Sequence, residues 1–327
     1  MGNKVMREHM QERFANAKVF SDNPPLPRSL NIELNNTCNH RCVFCPFHGE
    51  LADHKIKLAI LDVNFVKDVL KQAAELGIGK KELGFYMAGE VFLYKDFAEI
   101  VSYAKQLGFK YTFITTNGAL ATPDKINKIL EAGIDSIRFS VNGGNRESYK
   151  EIHDADDFEK VLENIKYLHR MREERGYDVA ISLSSVITKK TKSNITEIKD
   201  VFEPYVDDIL FIPIILENLR DLPEVKEEWQ IVEDTDEIDP DWVCAMLFNT
   251  MYINAEGFVM PCCNAYHSDA KFFDLKTDLD LKKAWYCYDY RKYRNIFLKN
   301  ESDRGTACEH CLLRKAGVAR LLIEDVI

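Results

Sequence analysis

Three cysteines lie close together near the start of the chain, at Cys38, Cys42 and Cys45. Thiolates are the ligands that iron-sulfur clusters prefer, and three of them on one loop can hold three corners of a four-iron cluster. The fourth iron would then be open to a substrate or cofactor, which favours catalysis over simple electron transfer. A partial zinc site or three buried cysteines is the alternative, although zinc loops usually carry Cys-x2-Cys pairs.

A second group of cysteines lies far along the chain. Cys244 and Cys262 flank a predicted hairpin whose turn, Asn254 to Gly257, ends in a glycine suited to positive φ, and Cys308 and Cys311 form a Cys-x2-Cys pair. Four thiols suit either a fully ligated cluster or tetrahedral zinc. The sequence therefore predicts two separate metal sites.

Alternating strand and helix patterns must position the first site. Six β/α steps fill residues 30 to 213, and the first cysteine group directly follows the first strand. Such alternation implies parallel pairing with right-handed crossovers, in a doubly wound or barrel-like sheet. Six units are fewer than the eight of a closed barrel. The predicted strands are 30–34, 83–87, 111–115, 136–141, 179–186 and 209–212; the predicted helices are 61–73, 96–107, 123–132, 158–168 and 194–203.

Composition narrows the class of protein. The chain has 46% hydrophobic and 29% charged residues, and its net charge of −10 opposes broad attraction to nucleic acid or anionic lipid. No apolar run reaches the ~18 residues needed to span a bilayer, and the start has no signal-peptide core. We expect a cytoplasmic protein that binds neither nucleic acid nor membrane. In that reducing compartment nine cysteines favour metal or redox chemistry.

The motif Cys38-Asn39-His40-Arg41-Cys42-Val43-Phe44-Cys45, placed after a first strand, resembles the signature of the radical S-adenosylmethionine (SAM) family, in which an aromatic residue often precedes the last cysteine. Three further motifs resemble that family's strand-end motifs. They are Met87-Ala88-Gly89-Glu90, with Ala88 in place of the first glycine of Gly-Gly-Glu, Thr115-Thr116-Asn117-Gly118, and Ser140-Val141-Asn142-Gly143.

This resemblance covers residues 28 to 315 and implies a partial (β/α)6 TIM-like barrel, with Cys38, Cys42 and Cys45 holding a 4Fe-4S cluster. It implies that SAM contacts Phe44, Gly89, Glu90, Asn117 and Ser140, with Gly89-Glu90 at the amino group and Ser140 at the ribose. A reducing partner such as flavodoxin or ferredoxin would supply the electron that cleaves SAM to methionine and a 5′-deoxyadenosyl radical. The cofactors supply this chemistry, and the protein supplies orientation and exclusion of water.

The C-terminal part resembles the SPASM and twitch modules that follow such a core, in Gly257, the helical stretch Trp285 to Arg291 and the closing Cys-x2-Cys pair. No cysteine follows that pair, so we expect one auxiliary 4Fe-4S cluster, ligated by Cys244, Cys262, Cys308 and Cys311. The expected organisation is a leader over 1–27, a radical SAM core over 28–220, an acidic linker over 221–241, and a small domain of one β-hairpin plus helix over 242–327.

Two cysteines are left over. Cys287 is expected to pack in a tyrosine-rich helix, and Cys263 is either a hairpin packing residue or a hydrogen-atom donor to a substrate radical. The resemblance favours dehydrogenation or epimerisation of a polyhydroxylated small molecule such as a sugar, aminocyclitol or conjugate. Two alternatives stay open. One is a peptide-modifying maturase that epimerises or crosslinks residues. It is disfavoured because only about thirty residues precede the first strand, too few for the separate peptide-recognition domain that many such enzymes carry. The other is a non-catalytic iron-sulfur or zinc protein.

Overall fold

Parallel strands form the centre of the molecule, which we describe from a computed structural model covering residue 8 and residues 20–49, 57–214, 243–265, 270–309 and 311. Six strands pair in chain order, each parallel to the next. Each lies within a few residues of its predicted place. They are β1 (Ser29–Ile32), β2 (Glu82–Phe85), β3 (Thr112–Thr116), β4 (Ser136–Ser140), β5 (Ala180–Ile187) and β6 (Asp208–Pro213).

Helices connect these strands and cover one face of the sheet. The first begins at Asp62, whose side chain accepts hydrogen bonds from two backbone N–H groups, and ends at Gly77 in the left-handed region. It buries Val66, Val69 and Leu70 against the strands. The helices are α1 (Val63–Leu76), α2 (Phe97–Gln106), α3 (Pro123–Glu131), α4 (Arg146–His153), α5 (Phe158–Arg175) and α6 (Ile195–Phe202). Of these six helices, only α4 has no counterpart in the sequence prediction.

The C-terminal part continues the same sheet. Its first strand, β7, pairs in parallel with β1, and two antiparallel strands follow. The order is therefore β6-β5-β4-β3-β2-β1-β7-β8-β9, and the described strands form an open sheet, as a partial (β/α)6 barrel requires. Gly257 in the hairpin turn has φ +94°, as predicted. The elements are α7 (Met246–Asn249), β7 (Thr250–Ile253), β8 (Phe258–Met260), β9 (Phe273–Asp274), α8 (Leu281–Trp285) and α9 (Tyr288–Leu298).

The segment before β1 is attached to the C-terminal helices. Trp285 Nε1 donates to the carbonyl of Pro25 at 3.1 Å, and the Tyr286 hydroxyl donates to the carbonyl of Pro24 at 2.9 Å. The predicted linker over 221–241 lies outside the described residues. Among the helices that are described, none combines the length and apolar character needed to cross a membrane.

Glu33 connects the barrel with the hairpin. Its backbone N–H donates to Ile253 O at 2.8 Å, and its two carboxylate oxygens accept from Ala88 N at 2.8 Å and Ala255 N at 2.9 Å. The side chain is buried, and this burial raises the pKa of Glu33 to about 7 against the opposing effect of the two hydrogen bonds. One carboxylate thus holds two loops from distant parts of the chain.

The raised pKa of Glu33 predicts a specific pH dependence. The folded state binds the Glu33 proton more tightly than the unfolded state, so this group's contribution to stability falls as pH rises from about 4.5 to about 7. In Glu33→Gln the amide nitrogen faces one of the two N–H donors, which should cost about 1–3 kcal/mol. The variant does not have to bury a charge at high pH, whereas the wild type does. The stability that the variant loses relative to the wild type should therefore be largest at pH 5 and smaller at pH 8. Urea midpoints across this range, with exposed Glu75→Gln as control, test this; a pH-independent loss contradicts it.

Candidate functional site

The three N-terminal cysteines lie on the loop after β1, at the carboxyl end of the sheet. Cys45 N donates to Cys42 O at 2.8 Å, which closes a turn between the second and third cysteines. Val43 N donates to Ile152 O at 2.9 Å and attaches the loop to α4. The loop is therefore held by its own backbone and by a helix that the sequence did not predict.

Gly49 packs beneath this loop. A Cβ atom at residue 49 would lie 2.3 Å from the carbonyl oxygen of Cys42 and 2.9 Å from that of Cys45, so no larger residue fits without moving the loop. Gly49 N also donates to Cys45 O at 3.1 Å. Sequence reasoning missed this residue, and its only signal was a glycine four residues after the last cysteine.

The surroundings of the thiols favour their protonated form when no metal is bound. Burial, with a smaller contribution from Glu90 and Cys45, raises the pKa of Cys38 to about 11, and the pKa values of Cys42 and Cys45 are also raised, mainly by burial. Iron must therefore displace the thiol protons as it binds. Three soft donors on one tight, half-buried loop fit three corners of a 4Fe-4S cluster.

Cys42 has a histidine beside it. The distance from Cys42 Sγ to His153 Nδ1, at the end of α4, is 3.4 Å. His153 is 1% exposed, and burial lowers its pKa to about 3, so the ring is neutral at physiological pH.

The motif with Gly89 and Glu90 is bound to the segment before the cysteines. A Cβ at Gly89 would lie 2.1 Å from Asn35 O, so a glycine is required for this approach. Glu90 N donates to Thr37 O at 2.7 Å, and Asn35 Nδ2 donates to Glu90 O at 3.1 Å.

The Glu90 carboxylate is buried and accepts three protein hydrogen bonds. Oε1 accepts from Phe92 N at 3.0 Å and Thr116 Oγ1 at 2.7 Å, and Oε2 accepts from Asn117 N at 2.9 Å. Burial raises the pKa of Glu90. Through these contacts Glu90 joins the ends of β2 and β3. Its contact with the SAM amino group stays a prediction.

Asn117 reaches the cysteine loop from the end of β3. Its Nδ2 donates to Asn39 Oδ1 at 3.0 Å and lies 3.8 Å from Cys38 Sγ. Ser140 is half-buried at the end of β4. Phe44 packs in a small apolar cluster with Val186 of β5. The structure thus brings Asn117 to the cysteines, and the SAM contacts of Asn117, Ser140 and Phe44 stay predictions.

The barrel face of β4 is polar. Ile137 and Phe139 pack in the core between sheet and helices, so Arg138 and Ser140 point to the opposite face. Arg138 donates through Nε and Nη2 to Thr115 Oγ1, at 3.1 and 2.8 Å.

Neighbouring strands extend this polar face. Ser182 and Ser184 of β5 are in register with Arg138 and Ser140, and the Arg138 guanidinium lies over the Tyr86 ring at 5.6 Å. The Ser182 hydroxyl is buried and has no hydrogen-bond partner among the described residues. Sequence reasoning missed Arg138, whose signal was a charged residue alternating with Ile137 and Phe139 inside a strand.

The four C-terminal cysteines line one pocket. Cys244 precedes α7, Cys262 follows β8, and Cys308 and Cys311 follow α9, so the hairpin and the last helix bring the thiols together. Four thiols suit either zinc or a fully ligated 4Fe-4S cluster. The other residues that line the pocket are mainly apolar: Met246, Leu247, Pro261, Asn264, Phe297 and Ala307.

The remaining cysteines lie outside that lining. Cys263 is half-buried, and its Sγ lies 3.8 Å from Asn264 Oδ1. Its two neighbours line the pocket, so its own side chain points elsewhere. Cys287 was predicted inside a helix, but it is the residue before α9, and its Sγ lies 4.0 Å from Phe272 O. It packs against the apolar core, as expected.

Two family models match the chain. The radical SAM superfamily model matches residues 32–201, which is more than half of the chain, and the model of the SPASM iron-sulfur cluster-binding domain matches residues 244–312. The first span contains Cys38, Cys42 and Cys45, and the second contains all four cysteines of the pocket.

Curated relatives include a probable GTP 3′,8-cyclase from Saccharolobus islandicus, 38% identical over 137 residues, and one from Methanocaldococcus jannaschii, 28% identical over 201 residues. The first match covers 42% of this chain and 42% of that relative, and the second covers 62% and 61%. The matched stretch thus spans less than two thirds of either relative's length.

Solved structures show the same fold. Streptococcus suis SuiB bound to S-adenosylmethionine has a TM-score of 0.63 and 19% identity, over 88% of this chain and 71% of SuiB. BtrN in complex with AdoMet and 2-DOIA has a TM-score of 0.54 and 16% identity, over 88% of this chain and 93% of BtrN. The first domain implies a 4Fe-4S cluster and SAM, and the second implies auxiliary iron-sulfur chemistry. Together the cysteine loop, the open parallel barrel and the family match show that the chain belongs to the radical SAM superfamily.

Proposed function

We propose that this radical SAM enzyme abstracts a hydrogen atom from a carbon of a polyhydroxylated small molecule, either to oxidise an alcohol or to invert a carbon. The polar barrel face of β4 and β5 carries this proposal: Arg138 is half-buried there and Ser184 keeps 8% of its surface exposed, while Ser140 on the same face stays assigned to SAM. Hydroxyl and guanidinium groups can hydrogen-bond a substrate rich in hydroxyl groups.

The protein has two cofactor sites to support such a reaction. When bound, the first cluster would supply the electron that cleaves SAM, and an auxiliary cluster would accept an electron that leaves the substrate. Cys38, Cys42 and Cys45 would hold the first cluster. Cys244, Cys262, Cys308 and Cys311 would hold a single auxiliary cluster, the twitch-type arrangement.

The two reaction types balance differently. Oxidation of an alcohol removes one hydrogen atom from carbon, then one proton from the hydroxyl group and one electron, and leaves a ketone. Inversion returns a hydrogen atom to the opposite face of the same carbon. Cys263, beside the pocket residue Cys262, is the proposed donor for that step, and its thiol hydrogen exchanges with solvent. The donation leaves a thiyl radical on Cys263, which one electron from the external reducing partner and one proton from solvent return to the thiol.

Turnover in deuterated water tests both the substrate class and the reaction. The reduced enzyme is incubated with SAM and a panel of sugars, inositols and amino sugars, with GTP and peptides run in parallel. We expect a member of the polyol panel to raise the rate of 5′-deoxyadenosine formation. A product lighter by two hydrogen atoms indicates oxidation, and a product carrying one solvent deuterium indicates inversion.

The role of Cys263 requires its own comparison. In the case of inversion, Cys263→Ala should abolish deuterium incorporation, whereas Cys287→Ala should leave it unchanged. Stimulation of 5′-deoxyadenosine formation by GTP or by peptides alone would contradict the proposed substrate class.

A further inference from the structure

His153 is the last residue of α4 and belongs to none of the sequence motifs described above. It contacts Cys42, the middle cysteine of the loop. The ring stacks on Tyr149 with centroids 4.0 Å apart and an interplanar angle of 14°, so its orientation is fixed by packing. Its Nδ1 faces Cys42 Sγ at 3.4 Å, which is a suitable distance for an N–H···S hydrogen bond.

The partners of the other ring nitrogen decide which nitrogen carries the proton. Asn142 N donates to His153 Nε2 at 3.1 Å, and Asn142 Nδ2 lies 3.2 Å from the same atom. The side-chain amide orientation follows from Val186 N, which donates to Asn142 Oδ1 at 2.7 Å and leaves Nδ2 as the donor to the ring. Nε2 is therefore an acceptor, and Nδ1 of the neutral ring carries the hydrogen that points at Cys42.

A mononuclear metal site is the rival explanation. His40, Cys42 and His153 have possible ligand atoms within 4.8 Å of one another. However, a neutral imidazole has a free lone pair on only one of its two nitrogens. Because Asn142 donates to Nε2, the lone pair is on Nε2, and Nδ1 carries a hydrogen and cannot bind a metal. His40 Nε2 lies 3.2 Å from Asp157 Oδ2 and its Nδ1 has no hydrogen-bond partner among the described residues, so the case against a metal here rests on His153. The contacts fit a hydrogen-bond donor to sulfur better than a ligand to a second metal.

We infer that His153 tunes the reduction potential of the SAM-binding cluster by donating an N–H···S hydrogen bond to its ligand Cys42, with Asn142 fixing the tautomer. A hydrogen bond to a ligating thiolate stabilises the more negative, reduced state of a cluster and so raises its potential. His153 acts through Cys42 and is therefore a positioning and tuning residue. The inference goes beyond the proposed function and does not depend on which substrate is used.

Two replacements of His153 separate the hydrogen bond from packing. His153→Phe keeps a ring against Tyr149 but has no donor, and His153→Asn places an amide nitrogen near the position of Nδ1. Both variants lose the ring nitrogen that accepts from Asn142. The two variants therefore differ from each other mainly in whether a donor to the Cys42 sulfur is present. Tyr149→Phe is the control for packing, because the Tyr149 hydroxyl has no hydrogen-bond partner among the described residues.

The measurement is an anaerobic redox titration followed by electron paramagnetic resonance, in which the SAM-binding cluster is identified as the signal that changes when SAM is added. We expect the His153→Phe midpoint to fall by about 59 mV, equal to a tenfold change in a one-electron equilibrium. His153→Asn and Tyr149→Phe should stay near the wild-type value. An unchanged midpoint in His153→Phe, or an equal fall in Phe and Asn variants, overturns the inference.

A second readout does not require His153→Phe to take up iron. In protein labelled with 15N-histidine, the reduced cluster should show hyperfine coupling to a histidine nitrogen, and His153→Asn should lose it. If the coupling is missing from the wild type, or survives in His153→Asn because it arises from His40, the inference is wrong. Neither readout involves substrate turnover, so failure here is distinct from failure of the proposed function.

Discussion

Replacing Cys42 with alanine should abolish 5′-deoxyadenosine formation and lower the iron content from about eight to about four atoms per chain, the content of one four-iron cluster. The turn between Cys42 and Cys45 holds the loop in shape, but two thiols cannot hold three corners of a cluster. The remaining iron should be retained, because the four other ligands lie in a separate pocket. Iron and sulfide analysis after anaerobic reconstitution, together with chromatography of SAM products, measures both effects.

Cys287→Ala provides the matched control. Cys287 is also half-buried, but it lies before α9 and outside the lining of both cysteine sites. This variant should bind about eight iron atoms and cleave SAM at the wild-type rate. If Cys42→Ala still cleaved SAM, the cluster would have to be held by other residues. Zinc in place of four irons in the C-terminal pocket would refute the auxiliary cluster.

The strands and cysteine sites could be predicted because their signals are local. Alternating apolar residues indicate each strand, and the number and grouping of the cysteines match the number of ligands that a cluster needs. The confirmed β/α order shows how far such signals reach. The pairing of β7 with β1 was not predictable, since it joins residues more than two hundred positions apart and no pattern specifies the partner of an edge strand.

The missed residues have a common physical cause. Helix α4 has eight residues and few apolar ones, so its burial of Tyr149, Ile152 and His153 leaves a weak pattern. Arg138 is half-buried and Arg294 is buried; charged residues are usually exposed, so both placements depend on partners that only the folded chain brings together. Tertiary contacts, which local patterns do not encode, therefore place the residues that surround the two sites.

Arg294 is the strongest case of such burial. Its guanidinium lies 4.2 Å from the centroid of the Trp285 ring and 4.6 Å from that of Tyr290. It donates to Leu247 O at 3.1 Å and Trp285 O at 3.0 Å, and Leu247 lines the C-terminal cysteine pocket. Burial lowers the pKa of Arg294 to about 10, so the group stays charged at neutral pH. One buried cation thus joins α9 to the backbone of α7 and of α8.

Arg294→Met should destabilise the protein by about 2–4 kcal/mol, because two buried carbonyl groups lose their donor and each such loss costs about 1–3 kcal/mol. The gain from no longer burying a charge offsets part of this cost. Arg294→Lys should recover little, because an ammonium group lacks the planar fork that reaches both carbonyls and stacks on both rings. Exposed Arg291→Met on the same helix should change stability by less than about 0.5 kcal/mol. Urea midpoints from circular dichroism of the iron-loaded protein measure these changes. Equal midpoints for the two methionine variants would show that the buried cation contributes nothing to holding the helices around the cysteine pocket.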